Sequence, residues 1–173
     1  MTSILVRQAS NEDLKTLQAL ARETFYETFA KDNSEDEMQK YLDESFSDEK
    51  MLEELNTADS HFFIAWEEQD PIGYLKVNTG KAQTELQDDA SMEIERIYVK
   101  ASYHGKKAGQ ILYDKALETA LQENKKYLWL GVWEENLRAV NFYKKNGFVT
   151  FDTHIFKLGS EEQTDLMMRK ELS

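Results

Sequence analysis

The sequence predicts a mixed α/β fold, and three observations lead to that prediction. A chain of 173 residues with 40% hydrophobic and 12% aromatic residues has enough apolar side chains for one domain with one substantial core. Stretches of helical and of strand periodicity alternate along it. Residues 91–133 read strand, loop, helix, strand, which is a βαβ unit with an expected right-handed crossover. We therefore expect a single domain over residues 1–173, with helices on both faces of a twisted, mostly antiparallel sheet of six to seven strands.

The first half of the chain predicts one strand, three helices and a β-hairpin. Residues 4–7 form the strand, and the Ser-x-x-Asp sequence from Ser10 is typical of a helix start. Apolar residues at helical spacing continue that helix to about Phe29, and further helices are expected from Ser34 and over residues 47–55. The predicted hairpin strands span residues 61–66 and 72–78, the turn between them ends at Pro71, and a polar loop over residues 80–90 follows.

The second half predicts the βαβ unit, one more helix and a closing hairpin. A strand over residues 91–100 leads into a loop with a concentration of positive charge. An amphipathic helix follows from about Gln110 to Asn124, because its apolar residues recur on one face. Next come a strand over residues 127–133 and a helix that begins after Asn136. Residues 148–158 and 164–170 then form an antiparallel pair.

Composition and charge exclude several kinds of function. The formal net charge is −12, whereas a nucleic-acid binder is normally basic, so we expect no nucleic-acid partner. The acidic charge is consistent with solubility or with the steering of a cationic substrate. The absence of cysteine excludes disulfides and cysteine nucleophiles, and three histidines without ligand spacing predict no metal. Because no apolar run approaches about 18 residues and no signal-peptide pattern opens the chain, we expect a cytoplasmic protein without a membrane partner.

Two motifs stand on either side of the predicted βαβ helix. The second of them follows the pattern Asn-x-x-Ala-x-x-Phe-Tyr-x-Lys-x-Gly-Phe without a gap, at Asn136, Ala139, Phe142, Tyr143, Lys145, Gly147 and Phe148. The first is a looser match to a Gln/Arg-x-x-Gly-x-Gly/Ala loop: only Gly109 fits strictly, with His104 and Lys107 at the other two positions. On these residues the chain resembles the GNAT N-acetyltransferases, and over nearly its whole length it resembles the bacterial PaiA-type polyamine acetyltransferases in that family.

The resemblance implies acetyl-CoA as the cofactor and a set of residues that bind it. The backbone of Ile97, Tyr98 and Val99 would pair with the pantetheine arm and polarise the thioester carbonyl. Asn136 and Ala139 would lie beside the arm, although Asn136 equally fits a helix cap. Lys107 would have to adopt the backbone conformation that glycine normally supplies in this loop. The pyrophosphate would meet the loop and first helical turn, with the residues His104, Gly105, Lys106, Lys107, Ala108, Gly109 and Gln110.

Three side chains are candidates for the proton transfers. Period-two alternation predicts that Glu93 and Glu95 share a strand face with Ile97 and Val99. A partly buried carboxylate suits a general base, and the resemblance to polyamine-acetylating members favours Glu95 slightly over Glu93. A structural ion pair with a neighbouring cation, Arg96 or Lys76, is the alternative. Tyr143 matches the residue that the family uses as general acid for the leaving thiolate.

The acceptor is predicted less directly. The resemblance places its site at the first helix and the loop after it, where Tyr26, Glu27 and Glu35 would suit a linear polycation. We therefore expect direct acetyl transfer, in a ternary complex, to a small primary amine such as the polyamines spermidine or spermine. Two alternatives stay open: a protein or peptide N-acetyltransferase, and a non-catalytic regulatory protein that responds to acyl-CoA. The sequence also leaves a homodimer open.

Overall fold

The computed structural model describes residues 3–172, which contain seven strands and five α-helices. The strands are β1 (Ile4–Gln8), β2 (Ser60–Glu67), β3 (Asp70–Asn78), β4 (Ser91–Val99), β5 (Tyr127–Trp133), β6 (Val149–Leu158) and β7 (Glu161–Glu171). The helices are α1 (Leu14–Phe29), α2 (Glu35–Ser45), α3 (Asp48–Leu55), α4 (Ala108–Gln122) and α5 (Leu137–Lys145). No helix within these described residues is long and apolar enough to cross a membrane.

All seven strands form one sheet in the order β1-β2-β3-β4-β5-β7-β6. Every neighbouring pair is antiparallel except β4 and β5, which are parallel. The parallel pairing covers only the first four residues of each strand and ends where Ile94 pairs with Leu130. Beyond that point the two strands separate, so the middle of the sheet opens into a cleft.

Helices cover both faces of the sheet, and each face has its own core. On one face, α4 and α5 pack against the inner strands through residues such as Leu112, Ala116 and Val140. On the other face, α1, α2 and α3 contribute Leu17, Met38 and Met51 to a second, more aromatic core. The mixed α/β single-domain fold expected from the sequence is therefore confirmed.

Helix starts follow the capping residues in the sequence. The Ser34 and Ser47 side chains accept hydrogen bonds from the backbone N–H groups of Glu37 and Lys50, both at 3.2 Å, which begins α2 and α3. At Ser10 the backbone N–H donates to the Asp13 carboxylate at 2.9 Å, and a short 3₁₀ turn precedes α1. These local bonds explain why the first three helices begin close to the expected positions.

Two boundaries differ from the sequence-based expectation. Helix α4 begins at Ala108 rather than near Gln110. Strand β7 begins at Glu161 rather than at Thr164, because Leu158 pairs with Glu161 across a tight turn in which Gly159 has φ +62°. The polar residues before Thr164 suggested a longer loop, but one side of this edge hairpin faces solvent and accepts polar side chains.

A β-bulge in β4 changes which residues share a face. Lys76 of β3 pairs with Arg96, and the next residue of β3 pairs with Ile94, so Glu95 has no partner in the register. The extra residue shifts the alternation by one position. As a result Ile97 and Val99 pack on the α4 side with Ile94. The prediction that Glu93 and Glu95 lie on the strand face of Ile97 and Val99 was therefore wrong, because period-two alternation assumes an uninterrupted ladder.

Candidate active site

The diverging ends of β4 and β5 enclose a cleft of ≈ 1250 Å³. Its lining includes Glu93, Glu95 and nearly all the residues predicted to bind a cofactor: Ile97, Tyr98, Val99, His104, Gly105, Lys107, Ala108, Gly109, Gln110, Asn136, Ala139 and Tyr143. Lys106 does not line the cleft, and its ammonium lies over the Tyr103 ring. The fold thus gathers the two motifs, which are about thirty residues apart, around one opening.

The residues predicted to recognise the acceptor are only partly at the cleft. Glu27 lines it, and its carboxylate accepts a hydrogen bond from the Ala101 backbone N–H at 3.0 Å. Tyr26 and Glu35 do not line it. The Tyr26 hydroxyl donates to Glu35 at 2.9 Å in an exposed pair. The reason is helical geometry: Phe25 and Phe29 take the inward face of α1, which turns Tyr26 toward solvent.

The loop before α4 has the conformation of an anion-binding turn. Lys107 has φ 68° in the left-handed region, as expected for a residue that stands where a glycine is usual. The His104 ring is tied to the Val99 carbonyl by a 2.9 Å hydrogen bond, in which Nε2–H donates. A side chain at Gly109 would meet nothing within 4 Å, so the first turn of α4 is open. Its N-terminal backbone N–H groups have no acceptor within the helix and are suited to phosphate.

The far half of β4 offers a free strand edge to the same cleft. Residues 96–99 pair with β3 on one side, whereas the pairing with β5 has already ended at Ile94. Backbone N–H and C=O groups on the β5 side of Ile97–Val99 are therefore available to an extended ligand, apart from the Val99 carbonyl, which already accepts from His104. This edge and the open turn of α4 fit the amide-bearing arm and the pyrophosphate of coenzyme A.

Helix α5 places Tyr143 at the other wall of the cleft. The Tyr143 ring is 6% exposed and packs edge-on against Phe142 and Phe148. Burial raises the pKa of Tyr143 above its ordinary value, which keeps the phenol protonated and able to donate. Asn136 caps the helix, since its Oδ1 accepts from the Ala139 backbone N–H at 3.3 Å. The cap interpretation of Asn136 is therefore confirmed.

Glu95 is held in a network of ion pairs. Its carboxylate lies 2.7 Å from Lys76 Nζ and 3.3 Å from the Arg96 guanidinium, and both cations also contact Glu54 of α3 at 3.0 Å. Burial opposes ionisation of Glu95, but the charges of Arg96 and Lys76 prevail and lower its pKa. A carboxylate stabilised in this way is a weak base, so the structural ion pair considered above is present.

Glu93 has a different environment although it lies only two residues away. It is 3% exposed, and no cation among residues 3–172 forms an ion pair with it. Its oxygens accept hydrogen bonds from Asn78 Nδ2 at 3.0 Å and from the Thr84 backbone N–H and hydroxyl at 2.8 and 2.5 Å. Burial raises the pKa of Glu93, and these neutral donors offset only part of that rise. Such a carboxylate is suited to take a proton.

The comparisons with known proteins agree with this geometry. Residues 17–148 match the acetyltransferase (GNAT) family. The chain belongs to the GNAT family. An uncharacterised N-acetyltransferase of Lactobacillus delbrueckii subsp. lactis is 40% identical over 172 residues, which cover 99% of each chain. The spermidine N(1)-acetyltransferase of Thermoplasma acidophilum is 33% identical over 157 residues, which cover 87% of this chain and 91% of that protein.

A solved structure extends the comparison to the cofactor. The crystal structure of PaiA N-acetyltransferase from Thermoplasma acidophilum in complex with coenzyme A superposes with a TM-score of 0.82 at 30% identity. The match covers 98% of this chain and 99% of that one. This GNAT protein is thus an acetyl-CoA-dependent N-acetyltransferase. The cofactor supplies an activated acetyl thioester, and the open α4 turn with the free β4 edge would hold it.

The GNAT cleft is also lined by residues that the sequence did not predict. Asp165 of β7 lines it, and burial raises the pKa of this carboxyl to about 6. Glu85 and His154 lie beside each other, 2.5 Å apart at Oε1 and Nδ1. Gly131 leaves space next to Asp165, since an added Cβ would be 3.7 Å from Oδ2. The one available signal was Gly131 itself, a glycine inside an otherwise apolar strand.

Proposed function

We propose that this enzyme acetylates a primary amine of a linear polyamine such as spermidine or spermine. The observation that carries the proposal is the distribution of charge along the cleft. Glu93 lines the same cleft as the strand edge that suits the thioester, and two further acids, Glu85 and Asp165, line that cleft as well. One carboxylate would receive the proton of the reacting ammonium, and the others would attract an ammonium further along the same molecule. The likeness to a spermidine acetyltransferase supports the same acceptor class.

In the proposed reaction the chain's residues move two protons. Glu93 takes a proton from the acceptor ammonium, directly or through water, and leaves a neutral amine as nucleophile. A backbone N–H on the free edge of Ile97–Val99 donates to the thioester oxygen as charge develops there. The neutral amine attacks the thioester carbonyl carbon, and as the C–S bond breaks Tyr143 gives its phenolic proton to the departing thiolate. The acetylated nitrogen then loses its second proton, which restores the Tyr143 phenol through water. The chain contains no cysteine to carry an acetyl group, which favours direct transfer in a ternary complex.

The contacts that close the cleft on the side of α2 and β6 favour a small amine over a protein substrate. The tip of the β6–β7 hairpin is joined to α2, because the Ser160 N–H and hydroxyl donate to Glu37 at 3.2 and 2.7 Å. Phe156 of β6 packs between the aromatic residues Phe29 and Tyr41, at ring-centroid distances of 6.3 and 6.1 Å. A peptide acceptor needs an open groove, whereas these contacts form a wall.

The non-catalytic alternative is disfavoured by Glu93. A buried carboxylate that receives only neutral hydrogen bonds is costly to maintain, and such groups are concentrated at reactive sites. A protein that only bound acyl-CoA would gain nothing from it. The cytoplasmic location and the homodimer stay predictions from the sequence and from its resemblance.

The test is acetyl-CoA turnover across a matched panel of amines. Spermidine and spermine should be acetylated with kcat/KM at least ~10-fold above a monoamine of similar length, because the second ammonium adds a charge-assisted contact. Peptides with a free N-terminus or a lysine complete the panel. Mass spectrometry of the products identifies the acetylated nitrogen. An absence of turnover on every polyamine, with activity on a peptide, would overturn the acceptor assignment.

A further inference from the structure

One buried side chain fastens the loop between β3 and β4 to the sheet. Gln83 is 1% exposed, and its amide makes four hydrogen bonds. Its Oε1 accepts from Ser91 Oγ and Trp129 Nε1, both at 2.7 Å. Its Nε2 donates to the carbonyls of Gly80 and Asp88 at 3.2 and 3.1 Å. Since every hydrogen-bonding atom of the amide is used, the loop is held in one place on β4 and β5.

The residue after this anchor contacts both oxygens of the Glu93 carboxylate. The Thr84 backbone N–H donates to Oε1 at 2.8 Å, and the Thr84 hydroxyl donates to Oε2 at 2.5 Å. Two bonds from one residue to the two oxygens fix the plane of the carboxylate. Within residues 3–172 the second oxygen receives only the hydroxyl bond, so it can still accept a proton from the cleft.

Within the described part of the chain, no charged group around Glu93 replaces the hydrogen bonds that stabilise its negative charge. Glu95 is the nearest along β4 and opposes the Glu93 charge, although it is itself paired with Lys76 and Arg96. Glu85, Asp165 and His154 line the cleft from the loop, β7 and β6. Of the three hydrogen bonds that favour the charged form of Glu93, Thr84 therefore contributes two and Asn78 one.

We propose that Thr84 is a positioning residue for acetyl transfer: it holds the Glu93 carboxylate in one orientation beside the cleft and favours its negative charge. The inference rests on the proposed role of Glu93 as general base. Gln83 supports Thr84 by holding the loop between β3 and β4 against the sheet. Thr84 lines the cleft beside Glu93, and in this proposal its effect reaches the reaction through the Glu93 carboxylate.

Thr84→Val is the direct test, because valine keeps the branched shape and the backbone N–H but removes the hydroxyl. The pH profile of kcat/KM should move its acidic limb upward by about one pH unit, since loss of a hydrogen bond to a charged group makes the proton harder to remove. Above that limb the rate should stay within ~3-fold of the original. Thr84→Ser retains the hydroxyl and should return the limb to its original position.

The matched control is Thr119→Val in α4. The Thr119 hydroxyl donates to the Lys115 carbonyl within the helix at 2.8 Å, and this residue does not line the cleft. Its replacement should leave the pH profile unchanged. If Thr84→Val instead lowers turnover equally at every pH, with the limb unmoved, Thr84 has only a structural role and the proposal is overturned.

A titration without any acceptor separates this inference from the choice of substrate. The Glu93 carboxyl can be followed by ¹³C NMR, with its signal assigned from the spectrum of Glu93→Gln. The midpoint should rise by about one pH unit in Thr84→Val and also in Thr84→Ala, which serves if valine disturbs folding. An unmoved midpoint in a folded variant refutes the role of Thr84. Failure of the polyamine panel alone refutes only the acceptor assignment.

Discussion

Glu93 and Glu95 lie two residues apart on β4, yet their surroundings give them opposite properties. Lys76 and Arg96 hold Glu95 at 2.7 and 3.3 Å and lower its pKa. Glu93 is buried among neutral donors, and its pKa is raised. Both accept a hydrogen bond from Asn78. The contrast shows that a carboxylate acquires a role from the charges beside it, not from its position in a motif.

The largest expected effect is on turnover, from Glu93→Gln. Loss of the proton acceptor should lower kcat by about 10²–10³-fold, within the range of general base catalysis. The dissociation constant of coenzyme A should stay the same, as measured by calorimetry. The matched variant is Glu95→Gln, which should retain turnover within ~10-fold. A larger loss from Glu95→Gln than from Glu93→Gln would reverse the assignment of the base.

Tyr143→Phe tests the acid that complements Glu93. Without the phenol, kcat should fall by ~10²-fold because the leaving thiolate has no proton donor. Packing against Phe142 and Phe148 should persist, so thermal unfolding should change little. If a thiol with a lower pKa is the leaving group, the loss should shrink. Equal losses with both leaving groups would place Tyr143 outside the proton transfer.

Glu95→Gln should lower the free energy of unfolding, whereas Glu93→Gln should mainly lower turnover. Removing one anion leaves Lys76 and Arg96 with Glu54 alone, in a network whose side chains are mostly buried. The free energy of unfolding should fall by about 2 kcal/mol, less than for a fully buried pair because Glu95 keeps some exposure to water. Chemical denaturation of the two glutamine variants measures this. The contrast would be contradicted if the free energy of unfolding fell less in Glu95→Gln than in Glu93→Gln.

Asp165→Asn tests whether the Asp165 carboxylate contributes to binding of the acceptor. The KM for spermidine should rise by ~10-fold, while the KM for a monoamine should stay the same. The wild-type enzyme should show a pH dependence of the same origin. With its pKa raised to about 6, Asp165 is charged above that pH and loses its charge as the pH falls below it, so the KM for spermidine should rise on acidification. That rise should be absent in Asp165→Asn, and its persistence would exclude Asp165 as the responsive group.

The smallest effect is expected on the opposite side of the cleft, from Lys107→Gly. Lys107 already has the left-handed backbone that glycine adopts readily, so the loop should keep its shape. The affinity for coenzyme A should change by less than ~3-fold, because backbone N–H groups make most of the contacts to the phosphates. This change in coenzyme A affinity is the baseline against which the coenzyme A affinities of the glutamate variants are compared. A loss above ~30-fold would show that the lysine charge binds the phosphates.

Much of the architecture was predictable because its signals are local. The serines that begin α2 and α3 act within three residues, and the gapless motif from Asn136 to Phe148 identified the family from one helix and its ends. The closing hairpin was predicted too short, since the residues before Thr164 are polar and suggested a loop although Leu158 pairs with Glu161 across a tight turn. The acceptor residues on α1 were predicted only in part, because the packing of Phe25 and Phe29 decided which face was inward.

The sequence by itself determined the order of strands and helices along the chain and the family, since each depends on residues close together in the chain. Only the tertiary structure showed that the two glutamates have opposite surroundings. A single extra residue at Glu95 shifts the strand faces, and Lys76 and the Thr84 hydroxyl, which help to distinguish the carboxylates, come from β3 and the loop after it. Burial and charge depend on neighbours across the sheet, and periodicity along one strand contains no information about them.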